Sequence, residues 1–178
     1  AYEISLGLVG SEMCIRDRST VAFNAAIAAR RGLCPNIKDL EGFGCQIAMG
    51  SDNMDENMIV VMRTGMFMER VRMTDGRNPS PNEAYKWATH NGYKSLGISN
   101  AGTLTKGSKA DLIIVNLMQP HLTPQTDIVS NWVHMGQNHD VESVMVDGKW
   151  IMKEHKVLNL DEEYIITKAN KIASKAWH

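Results

Sequence analysis

Asp52 is the residue of this chain whose type and position most favour chemistry. It follows the apolar run Gly-Cys-Gln-Ile-Ala-Met-Gly-Ser at residues 44–51, and it precedes the pattern of a long amphipathic helix. Barrels of alternating strands and helices place catalytic and metal-binding groups where a buried strand turns into a helix. An Asp at such a turn also commonly caps the following helix, so this turn alone leaves both roles open.

Asparagines lie close to the same predicted turns. Asn24 ends the first predicted strand and could point into a pocket, although a backbone turn uses Asn equally well. Asn53 and Asn57 follow the aspartate closely and could contact a substrate, whereas capping of the next helix is the alternative for this segment. For the acidic pair at residues 55–56 we prefer the capping role.

The elements that would position these side chains follow a strand–helix–strand–helix order. Apolar runs predict strands at residues 21–24 and 45–52, with helical segments between them. Residues 57–72 have the spacing of a helix, and their Met-rich stripe predicts core packing rather than a ligand surface. This alternation favours a parallel sheet.

Start and stop signals bound the next helix. Ser80-Pro81-Asn82-Glu83 supplies a capping hydroxyl, a proline at the first helical position and a carboxylate at the third. We expect this helix to run to about Leu96. Further predicted elements are a left-handed stop at Gly97, a buried strand at 110–116, a short helix from Asp127, a hairpin at Asp147-Gly148 and a final helix over 161–177.

The composition argues against several classes of protein. With 178 residues, 43% of them hydrophobic and 22% charged, the chain has the composition of a soluble globular protein. Its net charge of −1 gives no sign of a nucleic-acid or membrane partner, and no apolar run reaches the roughly 20 residues of a membrane helix. Three cysteines without a C-x-x-C pair favour a reducing cytoplasm.

Residues 1–18 resemble a translated laboratory sequence. Residues 8–18, Leu-Val-Gly-Ser-Glu-Met-Cys-Ile-Arg-Asp-Arg, match an in-frame translation of a DNA library adapter, and residues 1–4 match a flow-cell primer. We therefore expect the native protein to be cut just before Ser19. A genuine irregular segment is the alternative, and native codons at the genomic locus would establish it.

Five stretches in a fixed order carry a resemblance to a known family. They are I-A-M-G-S-D-N at 47–53, W-A-T-H-N-G-Y-K-S-L-G at 87–97, G-S-K-A-D-L-I at 107–113, P-H-L-T-P at 120–124 and V-M-V-D-G-K at 144–149. From residue 21 almost to its end, the chain resembles metal-dependent amidohydrolases. The branch concerned contains nucleobase, adenosine-derivative and triazine deaminases and chlorohydrolases.

The resemblance implies an α/β fold, namely the carboxyl-terminal part of an (α/β)8 barrel plus part of a small β-sandwich. Residues 19–97 would supply the last barrel strands and helices, 98–160 a share of the sandwich, and 161–178 a terminal helix. Asp52 matches the strand-eight aspartate that binds or approaches the metal and handles the proton of the attacking water. The implied cofactor is a divalent metal, Zn or Fe, with its other ligands upstream of Ser19.

The implied reaction is deamination of a nitrogen heterocycle by metal-activated water, in a parent protein that could be a homo-oligomer. A Zn²⁺-type ion lowers the pKa of water from about 16 to about 7, and a carboxylate can then pass the proton to a leaving amine. None of the six histidines forms an H-x-H or H-x-x-x-H pair, so we expect none to bind this metal. The isolated chain is therefore predicted to be inactive.

Three other functions stay open from the sequence. Dechlorination and ring-opening amide hydrolysis use the same activated water. Alternatively, Asp52 is an ordinary cap and the chain is a non-catalytic α/β module that folds by itself. A fragment would instead expose an unpaired edge at its first strand and tend to aggregate.

Overall fold

The computed structural model describes residues 19–53 and 55–176, which form a mixed α/β structure. The strands are β1 (Thr20–Phe23), β2 (Gln46–Met49), β3 (Leu112–Val115), β4 (Val141–Val146), β5 (Lys149–Lys153) and β6 (Lys156–Val157). The helices are α1 (Ala25–Arg30), α2 (Ile37–Gly42), α3 (Met58–Met73), α4 (Pro81–Ala88), α5 (His90–Ser95), α6 (Ile128–Met135) and α7 (Glu162–Ala176). Short 3-10 turns lie at Pro120–Leu122 and Asn138–Asp140.

The chain divides into two compact units. Among the described residues, one unit contains 19–108 and 117–138, and the other contains 109–116 and 139–176. Residues 117–138 join the first unit because α6 packs on α3 and α4. Arg63 of α3 donates to the carbonyl oxygens of Val133, at 2.9 Å, and Gly136, at 2.6 Å. The predicted adapter, residues 1–18, lies outside the described residues.

Strands β1 and β2 form a parallel pair, which confirms the predicted strand–helix–strand–helix order. Thr20 pairs with Gln46 and Phe23 with Met49, so both strands end at the same edge. Within the described ranges no other strand pairs with them, and Thr20 and Ala22 are exposed. Two strands alone are marginally stable, so the helices packed on them must hold the pair.

The buried face of helix α3 contacts residues at the ends of both strands. The predicted stripe is confirmed as core packing, since Val61, Met62, Gly65 and Met66 are all buried. The helix begins after Asn57, whose side-chain oxygen accepts a hydrogen bond from the backbone N–H two residues later. The Met residues therefore serve the core rather than a ligand surface.

Gly65 allows α3 to approach the ends of both strands closely. A Cβ atom at this position would lie 2.6 Å from Met49 Cε, 2.9 Å from Phe23 Cε1 and 3.2 Å from Ala25 Cβ. The last two atoms belong to the end of β1 and the start of α1, where little rearrangement is possible because both residues are buried. The absence of a side chain at Gly65 thus sets the distance between helix and sheet.

A carboxylate of α3 supplies the cap that α2 lacks. Asn36, at the position before α2, makes no side-chain cap hydrogen bond. The fully buried Glu69 instead accepts from the backbone N–H groups of Ile37, at 3.3 Å, and Lys38, at 3.1 Å. Arg72 Nη2 also donates to Glu69, at 3.0 Å. The buried negative charge is therefore offset by a guanidinium and by the positive end of a helix.

The predicted capping box at the start of α4 is confirmed, and it extends into an ion pair with α2. Ser80 Oγ accepts from the Glu83 N–H, and the Glu83 carboxylate accepts from the Ser80 N–H at 2.8 Å. Lys38 Nζ lies 2.7 Å from Glu83 Oε1. Partial burial disfavours the charged form, but the hydrogen bonds from Lys38 and Ser80 outweigh it and lower the pKa of Glu83 to about 2.

The prediction of one continuous helix from Ser80 to Leu96 was wrong. Helix α4 ends at Ala88, and Thr89 has non-helical angles, φ −128° and ψ −93°, before α5 begins. The Thr89 hydroxyl donates to the carbonyl oxygen of Tyr85 at 2.6 Å, a local hydrogen bond that competes with helix continuation. The predicted stop at Gly97 is confirmed, with φ +71°.

The second unit contains an antiparallel sheet in the order β3-β4-β5-β6. Asp147 and Gly148 both have positive φ and form the predicted hairpin, while β6 was not predicted. The prediction that β3 is buried was wrong, since Ile113 and Ile114 are 48% and 42% exposed. In the part of the chain that the structure describes, β3 pairs only with β4 and is therefore an edge strand.

The terminal helix α7 forms where the sequence predicted it. Asp161 caps it by accepting from the Tyr164 N–H at 2.9 Å. Every residue of α7 is exposed, including Ile165 and Ile172. Across residues 19–53 and 55–176, no helix combines the length and the apolar character needed to cross a bilayer.

Replacing Gly65 with Ala should destabilise the chain by about 1–3 kcal/mol, because the added methyl group overpacks the contact with Phe23 and Ala25. Helix propensity alone predicts the opposite sign, a gain of up to about 1 kcal/mol. Gly92→Ala in α5 is the matched control, since a Cβ there meets nothing within 4 Å. Urea unfolding of residues 19–178 measures both, and equal effects of the two substitutions would contradict the close-approach argument.

Candidate functional site

The site is built where β1 and β2 end side by side. Asn24 directly follows β1, and Gly50 directly follows β2. The ladder continues one step beyond the strands, since the Gly50 N–H donates to the carbonyl oxygen of Phe23 at 3.4 Å. The register therefore places Asn24 beside Gly50. Asp52 follows two residues later, at the same edge of the sheet.

Asp52 is not the cap of the helix that follows it. Helix α3 begins only at Met58, and Asn57 caps it. Asp52 is exposed, and within the described residues its side chain makes no hydrogen bond or ion pair. The sequence left helix capping and catalysis open for Asp52, and the capping role belongs to Asn57 instead. The carboxylate remains available for a ligand.

Asp52 and Asn53 both adopt a left-handed backbone conformation, with φ of 47° and 55°. This region costs roughly 1 kcal/mol or more per residue for side chains other than Gly, although Asp and Asn tolerate it best. Two such residues in succession turn the chain sharply after β2. Left-handed Asp and Asn residues occur in ordinary turns, and strained residues also cluster at functional sites.

Polar side chains around this turn fix its shape. The Ser51 hydroxyl donates to the Glu56 carboxylate at 3.0 Å, and Asp55 Oδ1 accepts from the Asn57 N–H at 2.9 Å. Asn57 Oδ1 in turn accepts from the Ile59 N–H. The oxygen of Asn57 therefore serves the helix cap. Its amide N–H groups make no hydrogen bond within the described residues and could contribute to the substrate binding that the sequence suggested.

Asn24 occupies a capping position without capping. It directly precedes α1, yet it makes no side-chain hydrogen bond to that helix. Its side chain is half-buried and lies against Gly50. The Asn24 carboxamide therefore does not stabilise the turn, which was the alternative role that the sequence left open. Asn24 remains a candidate for substrate binding.

Asn91 supports β2 from the side opposite β1, a role that the sequence did not reveal. Gln46 and Gly50 direct their N–H groups at β1, so the carbonyl group of Ile47 between them points to the other edge. Asn91 Nδ2 donates to this carbonyl oxygen at 2.7 Å, and Gln46 Nε2 donates to the Asn91 carbonyl oxygen at 2.8 Å. The available signal was the place of Asn91 in the stretch W-A-T-H-N-G.

The described residues fit one ligand of a divalent metal at this edge. The Asp52 carboxylate is an oxygen donor of the type that zinc accepts, and it is exposed and unpaired. Among the residues that the structure describes, Asp52 belongs to no group of three or more His, Cys, Asp or Glu side chains close enough to share an ion. His134 instead contacts Arg70, at 3.3 Å, and the Phe67 ring.

The chain belongs to the amidohydrolase family, whose sequence profile matches residues 6–151. One relative is the 5-methylthioadenosine/S-adenosylhomocysteine deaminase of Pelotomaculum thermopropionicum, which is 36% identical over 146 residues. The match covers 80% of this chain and 34% of that protein. The chain thus spans about a third of the length of this curated relative.

Solved structures share the fold at low identity. An adenosine deaminase from Xanthomonas campestris with bound zinc has a TM-score of 0.87 at 18% identity, covering 95% of this chain and 40% of that one. A mutant atrazine chlorohydrolase from Arthrobacter aurescens, complexed with zinc and atraton, has a TM-score of 0.77 at 19% identity, covering 85% and 35%. At these identities the likeness concerns the fold alone.

Asn91→Ala should lower the unfolding free energy of residues 19–178 by about 1–2 kcal/mol, because the buried Ile47 carbonyl oxygen loses its side-chain donor. Asn170→Ala on the exposed helix α7 is the matched control and should change it by less than about 0.5 kcal/mol. Chemical denaturation measures both. A loss no larger than that of the control would show that Asn91 does not support β2.

Proposed function

We propose that this chain is the carboxyl-terminal part of a metal-dependent hydrolase that removes the amino group from an adenosine-type heterocycle. The single observation that carries the proposal is the state of Asp52. It stands at the ends of two parallel strands, in a strained turn, exposed and without a structural partner. A capping residue would be paired with a helix, whereas a catalytic carboxylate must be accessible.

In this proposal, β1 and β2 are the last two strands of an (α/β)8 barrel. Their parallel pairing supports this assignment. Barrel strands are normally covered on both faces, so the exposure of Thr20 and Ala22 on β1 indicates that further strands and helices of the parent protein would cover them. Such barrels carry their active sites at the carboxyl ends of the strands. Asn24 and Asp52 both lie at that end.

The chemistry follows from the position of the carboxylate. A bound Zn²⁺-type ion would make hydroxide available at neutral pH by lowering the pKa of water from about 16 to about 7. Asp52 would supply one oxygen ligand and accept the proton of the attacking water. It would then deliver this proton to the nitrogen of the leaving amine, which departs as ammonia. Asn24, Asn53 and the amide N–H groups of Asn57 would orient the heterocycle.

The proposed substrate class is a 6-aminopurine nucleoside modified at its 5′ position. It follows from the relative of Pelotomaculum thermopropionicum, whose name gives methylthioadenosine and S-adenosylhomocysteine as its substrates. Hydrolytic dechlorination is the second candidate, since the chlorohydrolase of Arthrobacter aurescens has the same fold. A cytoplasmic location stays a prediction from the cysteine pattern.

A graft tests the role of Asp52. Residues 19–178 would replace the matching third of the Pelotomaculum thermopropionicum deaminase, and turnover of methylthioadenosine would be followed by ammonia release. Asp52→Asn should lower kcat by about 1000-fold or more, because neither the proton transfer nor the ligand charge survives. Asp161→Asn, an exposed cap on α7, is the matched control and should retain full turnover.

Two results would contradict the proposal. Turnover of Asp52→Asn within tenfold of the unmodified graft would remove this carboxylate from the mechanism. Deamination by residues 19–178 alone, with added Zn²⁺, would show that the ligand set is complete without further strands. We expect the isolated chain to show no ammonia release above background.

A further inference from the structure

We infer that Asn24 recognises the amino-bearing edge of the purine, and that Gly50 is the positioning residue that gives its carboxamide the room to do so. This inference rests on the proposed function and names two residues of the same site.

The side chain of Asn24 lies across the end of β2. A Cβ atom on Gly50 would stand 2.6 Å from Asn24 Oδ1 and 3.7 Å from Asn24 Cγ. Real Cβ atoms essentially never approach other atoms to 2.6 Å, so any side chain at Gly50 would displace the carboxamide. The orientation of Asn24 toward the neighbouring strand end thus depends on a glycine at residue 50.

The backbone of Gly50 does not itself require glycine. Its φ lies outside the left-handed region, unlike that of Gly44, which has φ +92°. Apart from the chain neighbours of Gly50, Asn24 is the source of every atom of the described residues within 4 Å of the added Cβ. Space for the Asn24 side chain is therefore the constraint that the structure shows at this position.

The carboxamide of Asn24 has no structural task in the described part of the chain. It precedes a helix without capping it, and no side chain or backbone group there forms a hydrogen bond with it. A half-buried carboxamide that no protein group in the described residues engages is available to bind a ligand. The ligand would meet it at the edge that also carries Asp52.

A carboxamide presents one acceptor and one pair of donors side by side. An adenine ring presents the complement, an amino group that donates and an adjacent ring nitrogen that accepts, and Asn pairs with this edge in two hydrogen bonds. Hydrolysis replaces the amino group with a carbonyl oxygen and releases ammonia. The Asn24 oxygen would then face another acceptor, so the product should bind less tightly than the substrate.

The graft described above tests this arrangement with 5′-deoxyadenosine and with its analogue carrying chlorine in place of the amino group. Asn24→Ala should raise KM for the amino substrate by about 10- to 100-fold, the value of a lost bidentate contact. The change in kcat should be smaller. For the chloro analogue, which offers no donor, KM should rise less than about threefold.

Gly50→Ala should reproduce the effect of Asn24→Ala, because it displaces the same carboxamide. The double substitution should be no worse than either single one, since the clash disappears with the Asn24 side chain. Gly42→Ala is the matched control, because a Cβ there meets nothing within 4 Å. It should leave both KM values unchanged.

The outcomes separate the inference from the proposed function. A graft that binds Zn²⁺ but releases no ammonia from any 6-aminopurine counts against the proposed function. An active graft in which Asn24→Ala shifts both KM values equally, or neither, overturns the inference alone. Additive effects of Asn24→Ala and Gly50→Ala would also overturn it. Thermal unfolding of each variant identifies loss of folding. If Gly50→Ala does not fold, the KM values of the double variant, in which no clash is present, decide between these outcomes.

Discussion

The contact between α3 and the strand ends is the constraint on which the first unit depends. Two short strands cannot support themselves, and Gly65 is the point where the helix lies directly on Phe23 and Met49. The same two strand residues are the last before Asn24 and Gly50. The packing distance at Gly65 therefore sets the position of the site as well as the stability of the sheet.

Around this rigid contact, the polar groups fall into two kinds. Glu69, Glu83 and Asn91 are all engaged, with backbone or side-chain partners that join one element to another. Asp52 and Asn24 stand at the common edge of the sheet without such partners in the described residues. This separation of engaged and available groups distinguishes the candidate site from the scaffold more clearly than residue type does.

Local signals predicted most of the elements, and non-local contacts account for the failures. The capping box at Ser80, the Asp147-Gly148 hairpin and the stop at Gly97 depend on neighbours in sequence, and all were predicted correctly. The strand-to-helix turn made Asp52 a candidate, and its catalytic role stays a prediction. The break at Thr89 and the exposure of β3 depend on tertiary surroundings, which apolar periodicity does not report. The close approach of the Asn24 side chain to Gly50 depends on side-chain positions in the folded chain, which the sequence does not report.

The capping of α2 by Glu69 has a consequence for the order in which the first unit forms. A short helix with a local cap can begin to form before the rest of the chain, but α2 obtains its cap from a residue 32 positions away. It gains this hydrogen bond only after α3 exists and has docked. The capped form of α2 therefore depends on the docking of α3.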